Sequence, residues 1–347
     1  MKKLYLFLLL FGAISASAQD PQFTQGTFAT PLFLNPAFAG NTESVRANVL
    51  FRNQFSNLDN PYNTIMASAD YNMKEYNGGA GLMLMHDQAG LFSSTSATAS
   101  FSYRAKFNAN TSLLLGVSGS FFTKRLDPTN VVFRDQLRID SDQIGRTRET
   151  FGNLTFNFPS FATGAILSTR KFWLGLAMDH LNTPRRDLAG DTPLLPLKLT
   201  LHGGLNLLTL NKNKEASEMG AYPSFVLRRQ GAFTQLDLGI NIGQHEVRNL
   251  GFGYVVGFWY RGMFTQKTVA NQLNRDAVSV LTGLTIGNMS FNYSYDLTIS
   301  GLAPYNAGTH EISVIFELYK NRSSRRLGGI ANPIYGHKVP GKKKPSK

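Results

Sequence analysis

Cysteine is absent from this chain of 347 residues. Its absence excludes disulfide bonds, metal sites built on thiolates and the lipid-modified cysteine that anchors a lipoprotein. Charged side chains are scarce, at 16%, and yet the mean hydropathy is slightly negative, at −0.16. This combination is unusual for a soluble enzyme and ordinary for a transmembrane β-barrel, in which alternating apolar and polar residues cancel in any average.

Long apolar runs are absent after the first residues, and the chain begins with an order typical of a secretory signal. A positive start, an apolar middle and small residues at the end follow one another within residues 1–18 (Lys2 and Lys3, Leu4–Ile14, Ala16–Ala18). We expect the mature chain to begin at Gln19, since the apolar stretch is too short for an uncleaved membrane anchor. No later run approaches the roughly 18 apolar residues of a membrane helix, which excludes a helical membrane protein.

The positive charge is unevenly distributed along the chain. Of the net charge of +13, Lys2 and Lys3 carry two and residues 320–347 carry nine, which leaves +2 for the rest. The near-neutral body argues against nucleic acid as a partner. The basic tail, residues 320–347, is too poor in apolar side chains to fold alone. It is either a periplasmic arm that binds a partner or peptidoglycan, or a solvated tail.

Alternation of apolar and polar residues is clearest between Asn288 and Ser300. Every second residue from Met289 to Ile299 is apolar or aromatic, and the residues between them are polar. Because successive side chains of a strand point to opposite faces, this pattern predicts a strand between lipid and water. The stretch is longer than the usual strand of about 5–6 residues and meets the roughly 9–11 residues of a membrane-spanning strand.

The same pattern recurs along most of the chain and predicts about fourteen strands, an even number as in bacterial single-chain barrels. The predicted strands are 45–54, 60–73, 77–87, 92–107, 111–124, 158–169, 171–182, 196–209, 220–229, 231–243, 248–261, 275–287, 288–300 and 308–319. The connections on one side are short and most on the other side are longer, as expected of periplasmic turns and external loops. We therefore predict an all-β fold, a closed up-and-down antiparallel barrel at residues 42–319. It lies in the outer membrane, contacts its lipids and has both chain termini in the periplasm.

Residues 19–41 do not alternate. They contain Pro21, Pro31 and Pro36, and proline cannot donate to a strand ladder. Their four phenylalanines need cover, so we expect an irregular segment at or in the periplasmic mouth of the barrel. The alternative is a loose terminus.

Catalytic and metal-binding patterns are weak. The six histidines show no metal-binding spacing, and no nucleophile elbow or phosphate-binding glycine loop is found. Residues 140–145 copy the start of a calcium loop, but Ile144 and Phe151 occupy places that should hold ligands, so a hydrated loop is the simpler interpretation. We expect no cofactor, no metal and no enzymatic activity.

Two stretches carry a resemblance to a known family. The start, with QFTQ at 22–25 and LFLNPAFAG at 32–40, and the run GTHEISV at 308–314, resemble the PorP/SprF family. The resemblance covers the mature chain up to Tyr319. It implies an outer-membrane component of the type IX secretion system of Bacteroidetes. Such a protein would anchor or escort secreted proteins, including adhesins of gliding motility, and contact periplasmic secretion subunits.

The predicted partner-binding residues come from this motif and from the tail (Asn35, Pro36, Ala37, Phe38, Gly40, Arg325 and Arg326). We expect replacement of Asn35, Pro36 and Ala37 to abolish surface display of a client while the barrel stays in the membrane. A second hypothesis stays open: a passive transporter for hydrophobic or small polar solutes, with the N-terminal segment as its plug.

Overall fold

The structure is a computed structural model, and the part of the chain that it describes contains fourteen antiparallel strands. The described residues are 20–27, 29–42, 44–57, 61–108, 110–127, 154–169, 171–184, 195–209, 219–244, 252–267, 273–300, 303 and 307–318. Four features predicted above lie outside them: the signal segment 1–18, the calcium-like loop 140–145, the tail 320–347, and with the tail Arg325 and Arg326.

The strands follow one another around the barrel in chain order. They are β1 Val45–Gln54, β2 Tyr62–Met73, β3 Gly78–Ala89, β4 Phe92–Lys106, β5 Thr111–Leu126, β6 Thr155–Thr169, β7 Phe172–Asp179, β8 Lys198–Leu205 with its continuation Leu207–Thr209, β9 Met219–Gln230, β10 Phe233–Gln244, β11 Phe252–Lys267, β12 Leu273–Ile286, β13 Met289–Thr298 and β14 Thr309–Glu317. Three short helical turns accompany them: α1 Pro31–Leu34, and 3-10 turns at Pro36–Phe38 and Lys74–Tyr76.

The cylinder closes between its last and first strands. β14 pairs antiparallel with β1 from Arg46 opposite Glu317 to Gln54 opposite Thr309, and each other strand pairs with its neighbour in sequence. The prediction of a closed up-and-down antiparallel barrel is therefore confirmed. We call the end at which β1 begins and β14 finishes the Val45 end, and the opposite end the Gln54 end. Within the described ranges, no α-helix is long and apolar enough to cross a bilayer.

The barrel is polar inside and apolar outside, as the alternation predicts. On β13, Phe291 is 45% exposed on the outer face, whereas the next residue, Asn292, is 4% exposed. Leu82 on β3, at 65%, and Phe161 on β6, at 53%, belong to the same apolar outer surface. Such a surface is stable in lipid and would be costly in water.

Some strand boundaries differ from the prediction. Residues 262–274 were expected to be a loop, but β11 continues to Lys267 and β12 begins at Leu273. The pairing shifts by one residue here, since Arg261 lies opposite Ala277 and Gly262 opposite Arg275. This bulge accommodates an extra residue without ending the strand. β8 is interrupted at Asn206, so the predicted continuous strand 196–209 consists of two segments.

Candidate functional site

The lumen of the barrel is occupied by the N-terminal segment, residues 20–42, which we call the plug. From Phe23 to Thr42, every described plug residue except the half-buried Phe33 is buried. The plug begins near the Gln54 end, where Asp20 contacts His180, and descends to the Val45 end, where Thr42 contacts Glu317. It thus extends far beyond the single mouth that the sequence analysis assigned to residues 19–41.

The two ends of the described chain are consequently not on the same side. Glu317, at the end of β14, lies at the Val45 end, whereas Asp20 is held near the Gln54 end by buried side chains. Asp20 is held there by its ion pair with Lys198, at 3.4 Å, and by its contact with His180, at 2.9 Å. The chain termini themselves lie outside the described residues, so their common periplasmic location stays a prediction.

The pKa of the Asp20 carboxyl group is shifted by its surroundings. Burial by itself raises the pKa of this carboxyl, but the charges of His180 and Lys198 outweigh burial and hold the pKa well below its usual range. Ser160 lies 2.8 Å from the other ring nitrogen of His180 and orients the imidazole. The first residue of the plug is therefore held at the Gln54 end by charge interactions with His180 and Lys198.

A buried carboxylate on β14 holds the first turn of the plug. Glu311, which is 0% exposed, accepts hydrogen bonds from the backbone N–H groups of Thr24, at 2.9 Å, and Gln25, at 3.0 Å. The Thr24 hydroxyl donates to Asp296 at 2.7 Å, and the Gln25 amide donates to the Glu311 carbonyl at 3.1 Å. These bonds satisfy backbone groups that an irregular buried segment would otherwise leave unpaired.

The carboxylates of this region are balanced by arginines from neighbouring strands. Arg52 lies 3.3 Å from Glu311, and Arg261 lies 3.0 Å from Asp296 and 3.2 Å from Asp237. Buried charges are tolerated when they are paired and hydrogen-bonded. The plug completes this network, because Arg261 also donates to the Thr24 hydroxyl at 2.9 Å.

Asn35 fixes the middle of the plug to the wall. Its side-chain N–H donates to the Leu176 carbonyl at 3.2 Å and lies 3.0 Å from His202 Nε2. Its side-chain oxygen accepts from the Ala37 N–H at 2.9 Å, which caps the 3-10 turn that Pro36 begins. Asparagine suits this place because one amide both caps a turn and donates across to a strand.

Phe38 fills the apolar part of the same region. Its ring stacks on His202, with centroids 5.6 Å apart, and meets the edge of Trp173 at 6.2 Å. It belongs to a buried apolar cluster with Leu34, Ala37, Leu114, Ile166, Trp173 and Val226. The cluster is unusual for a barrel interior, and it provides the hydrophobic contribution to plug docking.

Glycines in the wall make room for the motif. A methyl group on Gly164 would overlap the Asn35 side chain, and one on Gly116 would overlap the backbone of Ala37. A methyl group on Gly79 would overlap Gly40, which itself has a positive φ of 63°. We call Gly79, Gly116 and Gly164 the wall glycines. They allow the plug backbone to approach the strands more closely than any side chain would permit.

The plug ends in polar contacts at the Val45 end. The Gly40 N–H donates to Asp70 at 3.0 Å, and Asp70 also accepts from Arg46 at 2.9 Å. Ser102 donates to the Ala39 carbonyl at 2.6 Å. The segment then turns into β1.

The structure brings five of the predicted site residues together, but inside the barrel. Asn35, Ala37 and Phe38 are each 0% exposed, and Pro36 and Gly40 are also buried. A partner cannot touch Asn35, Ala37 and Phe38 while the plug is docked, whereas Gly40 lines a pocket at the Val45 end. The residues that sequence reasoning missed are their receptors in the wall: Glu311, Asp70, His202 and the wall glycines. Glu311 lies within the 308–314 run, which was noted only as a resemblance. Among the described residues, no group of three His, Cys, Asp or Glu could hold a metal ion.

A family described as "Type IX secretion system membrane protein PorP/SprF" matches residues 15–316. The chain belongs to the PorP/SprF family. This PorP/SprF protein is therefore a membrane protein of a type IX secretion family, and its closed barrel supports an outer-membrane location.

Solved structures provide more distant likenesses to this PorP/SprF chain. CdiB from Acinetobacter baumannii is 8% identical with a TM-score of 0.46, over 79% of this chain and 60% of CdiB. This chain thus spans less than two thirds of CdiB. The CymD monoaromatic hydrocarbon channel is 11% identical with a TM-score of 0.42, over 84% of this chain and 93% of CymD. A KdgM porin is 9% identical with a TM-score of 0.34, over 79% and 99% of the two chains. No functional conclusion follows from likenesses at this level, and no curated protein matches the sequence.

Proposed function

We propose that this PorP/SprF protein anchors or escorts secreted proteins, such as the adhesins of gliding cells, through protein–protein contacts at the outer membrane. Membership of the type IX secretion family supports the proposal. The structural observation that carries it is the buried plug. A barrel whose lumen is filled by its own chain is suited to presenting surfaces to other proteins, and unsuited to conducting solutes.

The strength of plug docking supports a permanent rather than an incidental closure. Plug residues contact wall residues along the whole lumen, from Asp20 beside Lys198 to Thr42, which donates to Glu317 at 2.7 Å. If the plug left the lumen, the buried Glu311 carboxylate would lose the Thr24 and Gln25 N–H groups that donate to it. Unsatisfied buried charges cost several kcal/mol, on the order of 3–5 for a broken pair.

The proposed orientation places the Val45 end in the periplasm. Its turns at 74–77, 107–110 and 287–288 are short, as periplasmic turns of outer-membrane barrels are. In this orientation Glu317 and the basic tail that follows it are periplasmic, whereas Asp20 points towards the outer side. Periplasmic secretion subunits would meet the barrel at the Val45 end, and secreted clients at the Gln54 end.

A client-display experiment tests the proposal. Deleting the chain should abolish surface display of one or more type IX clients, and a tagged chain purified from its native membrane should carry such a client with it. Replacing Asn35, Pro36 and Ala37 should abolish display at normal barrel levels. The replacement would undock the plug, whose residues form part of the surface at both ends of the barrel. Unchanged display after deletion would refute the escort role, and unchanged display after the triple replacement would refute the role of the motif.

The rival hypothesis, a passive transporter, predicts a different outcome. Cavities of about 320 Å³ at the Val45 end and about 40 Å³ at the Gln54 end flank the plug, and this hypothesis requires solutes to pass between them. Purified protein in liposomes would then show rapid, saturable solute uptake. The proposed function predicts uptake no faster than through protein-free liposomes.

A further inference from the structure

A pocket of about 320 Å³ opens at the Val45 end, between the last residues of the plug and the ends of β2 and β4. Its neutral wall contains Gly40, Thr42, Asn72 and Ser102. Its charged side chains are Lys74, Arg104 and Lys106. We call this cavity the mouth pocket. Its volume is in the range of ligand sites, which is roughly 300–1,000 Å³.

The charge of the mouth pocket has one sign. Among the described residues that line it, three are cationic and none is acidic. Two acids bond to the last residues of the plug or to the wall beside them: Asp70 accepts from Arg46 and from the Gly40 N–H, and Glu317 accepts from Thr42. Glu75 lies on the same turn as Lys74 and is exposed. Arg104 donates to Asn41 of the plug at 2.6 Å, which holds one cation in place.

The two cations on β4, Arg104 and Lys106, face the lumen rather than the bilayer. On β4, Ser96, Thr98, Ser100 and Ser102 are buried on the inner face, and Arg104 and Lys106 continue that face by the two-residue repeat. Lipid headgroups, which contact the outer face, do not reach this side of the strand. The ligand therefore enters through the mouth from the aqueous compartment.

The basic tail of the chain is an unsuitable occupant. The last strand ends at the same mouth, and residues 320–347 carry nine Lys or Arg and no acid. Like charges repel, so a segment of this composition would not neutralise the pocket.

We propose that the mouth pocket binds an acidic polypeptide segment of another protein, with Lys74, Arg104 and Lys106 as its anion-binding residues. Side-chain carboxylates of such a segment would pair with the three cations, and Asn72 and Ser102 provide further polar groups. In the proposed orientation the partner is periplasmic. The binding itself does not depend on that orientation, so its failure would leave the proposed function standing.

Fluorescence anisotropy with a labelled hexaglutamate peptide tests this site on the purified full chain at low salt. The wild type should bind, and Lys74→Gln/Lys106→Gln should bind about tenfold more weakly, since two exposed ion pairs are lost. A matched control, Lys343→Gln/Lys344→Gln, removes the same charge from the tail and should change the affinity less than twofold.

Three results would overturn the proposal. The first is a wild-type chain that does not bind the peptide at low salt. The second is a tail variant that loses as much affinity as the pocket variant, because binding would then reflect overall charge. The third is displacement of the peptide by an equal concentration of inorganic phosphate, which would make the pocket a site for small anions.

Discussion

Replacing Glu311 with glutamine tests how the plug is held. The carboxylate accepts the Thr24 and Gln25 N–H groups at 2.9 and 3.0 Å and pairs with Arg52 at 3.3 Å. In Glu311→Gln, one side-chain oxygen becomes an NH₂ group that faces a backbone donor, and Arg52 loses its buried counter-charge. Breaking a buried pair costs about 3–5 kcal/mol. The part of the plug nearer the Gln54 end should therefore open at least about a hundredfold more often than in the wild type.

Hydrogen–deuterium exchange measures this opening directly. In detergent-solubilised protein, peptides spanning residues 20–30 should exchange at least about a hundredfold faster in Glu311→Gln, because exchange reports local opening. Peptides from β3 to β5 should be unaffected. Glu75→Gln is a matched control, since Glu75 is exposed on the Lys74–Tyr76 turn. Unchanged protection of residues 20–30 in Glu311→Gln would refute the docking role of this carboxylate.

Three further predictions concern other contacts of the plug. Gly116→Val should displace the plug and produce conductance in planar bilayers, whereas Gly119→Val on the same strand should not, because a methyl group there meets only Phe161 at 3.9 Å; equal conductance of the two variants would contradict the steric argument. Phe38→Ala should cost about 3–5 kcal/mol of stability in chemical denaturation, whereas Phe161→Ala, on the lipid-facing surface, should cost much less in detergent; equal losses would refute the role of the apolar cluster. The pKa of Asp20 is depressed, so its contribution to stability is present above its unfolded-state pKa, about 3.9, and is lost as the pH falls through its folded-state value. Exchange of peptides beginning at residue 20 should therefore accelerate in strong acid, and Asp20→Asn should remove this dependence; an acid response that persists in Asp20→Asn would contradict it.

The barrel could be predicted because its pattern is local. Alternation on β13 shows which of its residues face the lipid, and this period of two is visible without knowledge of the neighbouring strand. The extent of β11 was missed because Gly262 reads as a strand end, although it lies at a bulge. Bulges depend on the pairing of two strands, which no single stretch of sequence displays.

The plug was only partly predictable. Its prolines and phenylalanines indicate an irregular, covered segment, but its receptors are remote in sequence: Glu311 lies 287 positions from Thr24. Gly116 reads as a weak point in a strand and is in fact a place where the Ala37 backbone approaches the wall. The predicted contact of the motif with another protein stays a prediction, and in this structure its residues contact the inside of the barrel. A sequence pattern that demands a close fit does not distinguish a partner from the inside of the same chain.

A cysteine cross-link tests the lumenal position of the plug most directly. The natural chain contains no cysteine, and the side chains of Thr24 and Asp296 lie 2.7 Å apart. In native membranes, a short thiol cross-linker should join Thr24→Cys to Asp296→Cys in most molecules, and should not join Thr24→Cys to Asp70→Cys, which lies at the opposite end of the plug. A link in the second pair and none in the first would contradict the account.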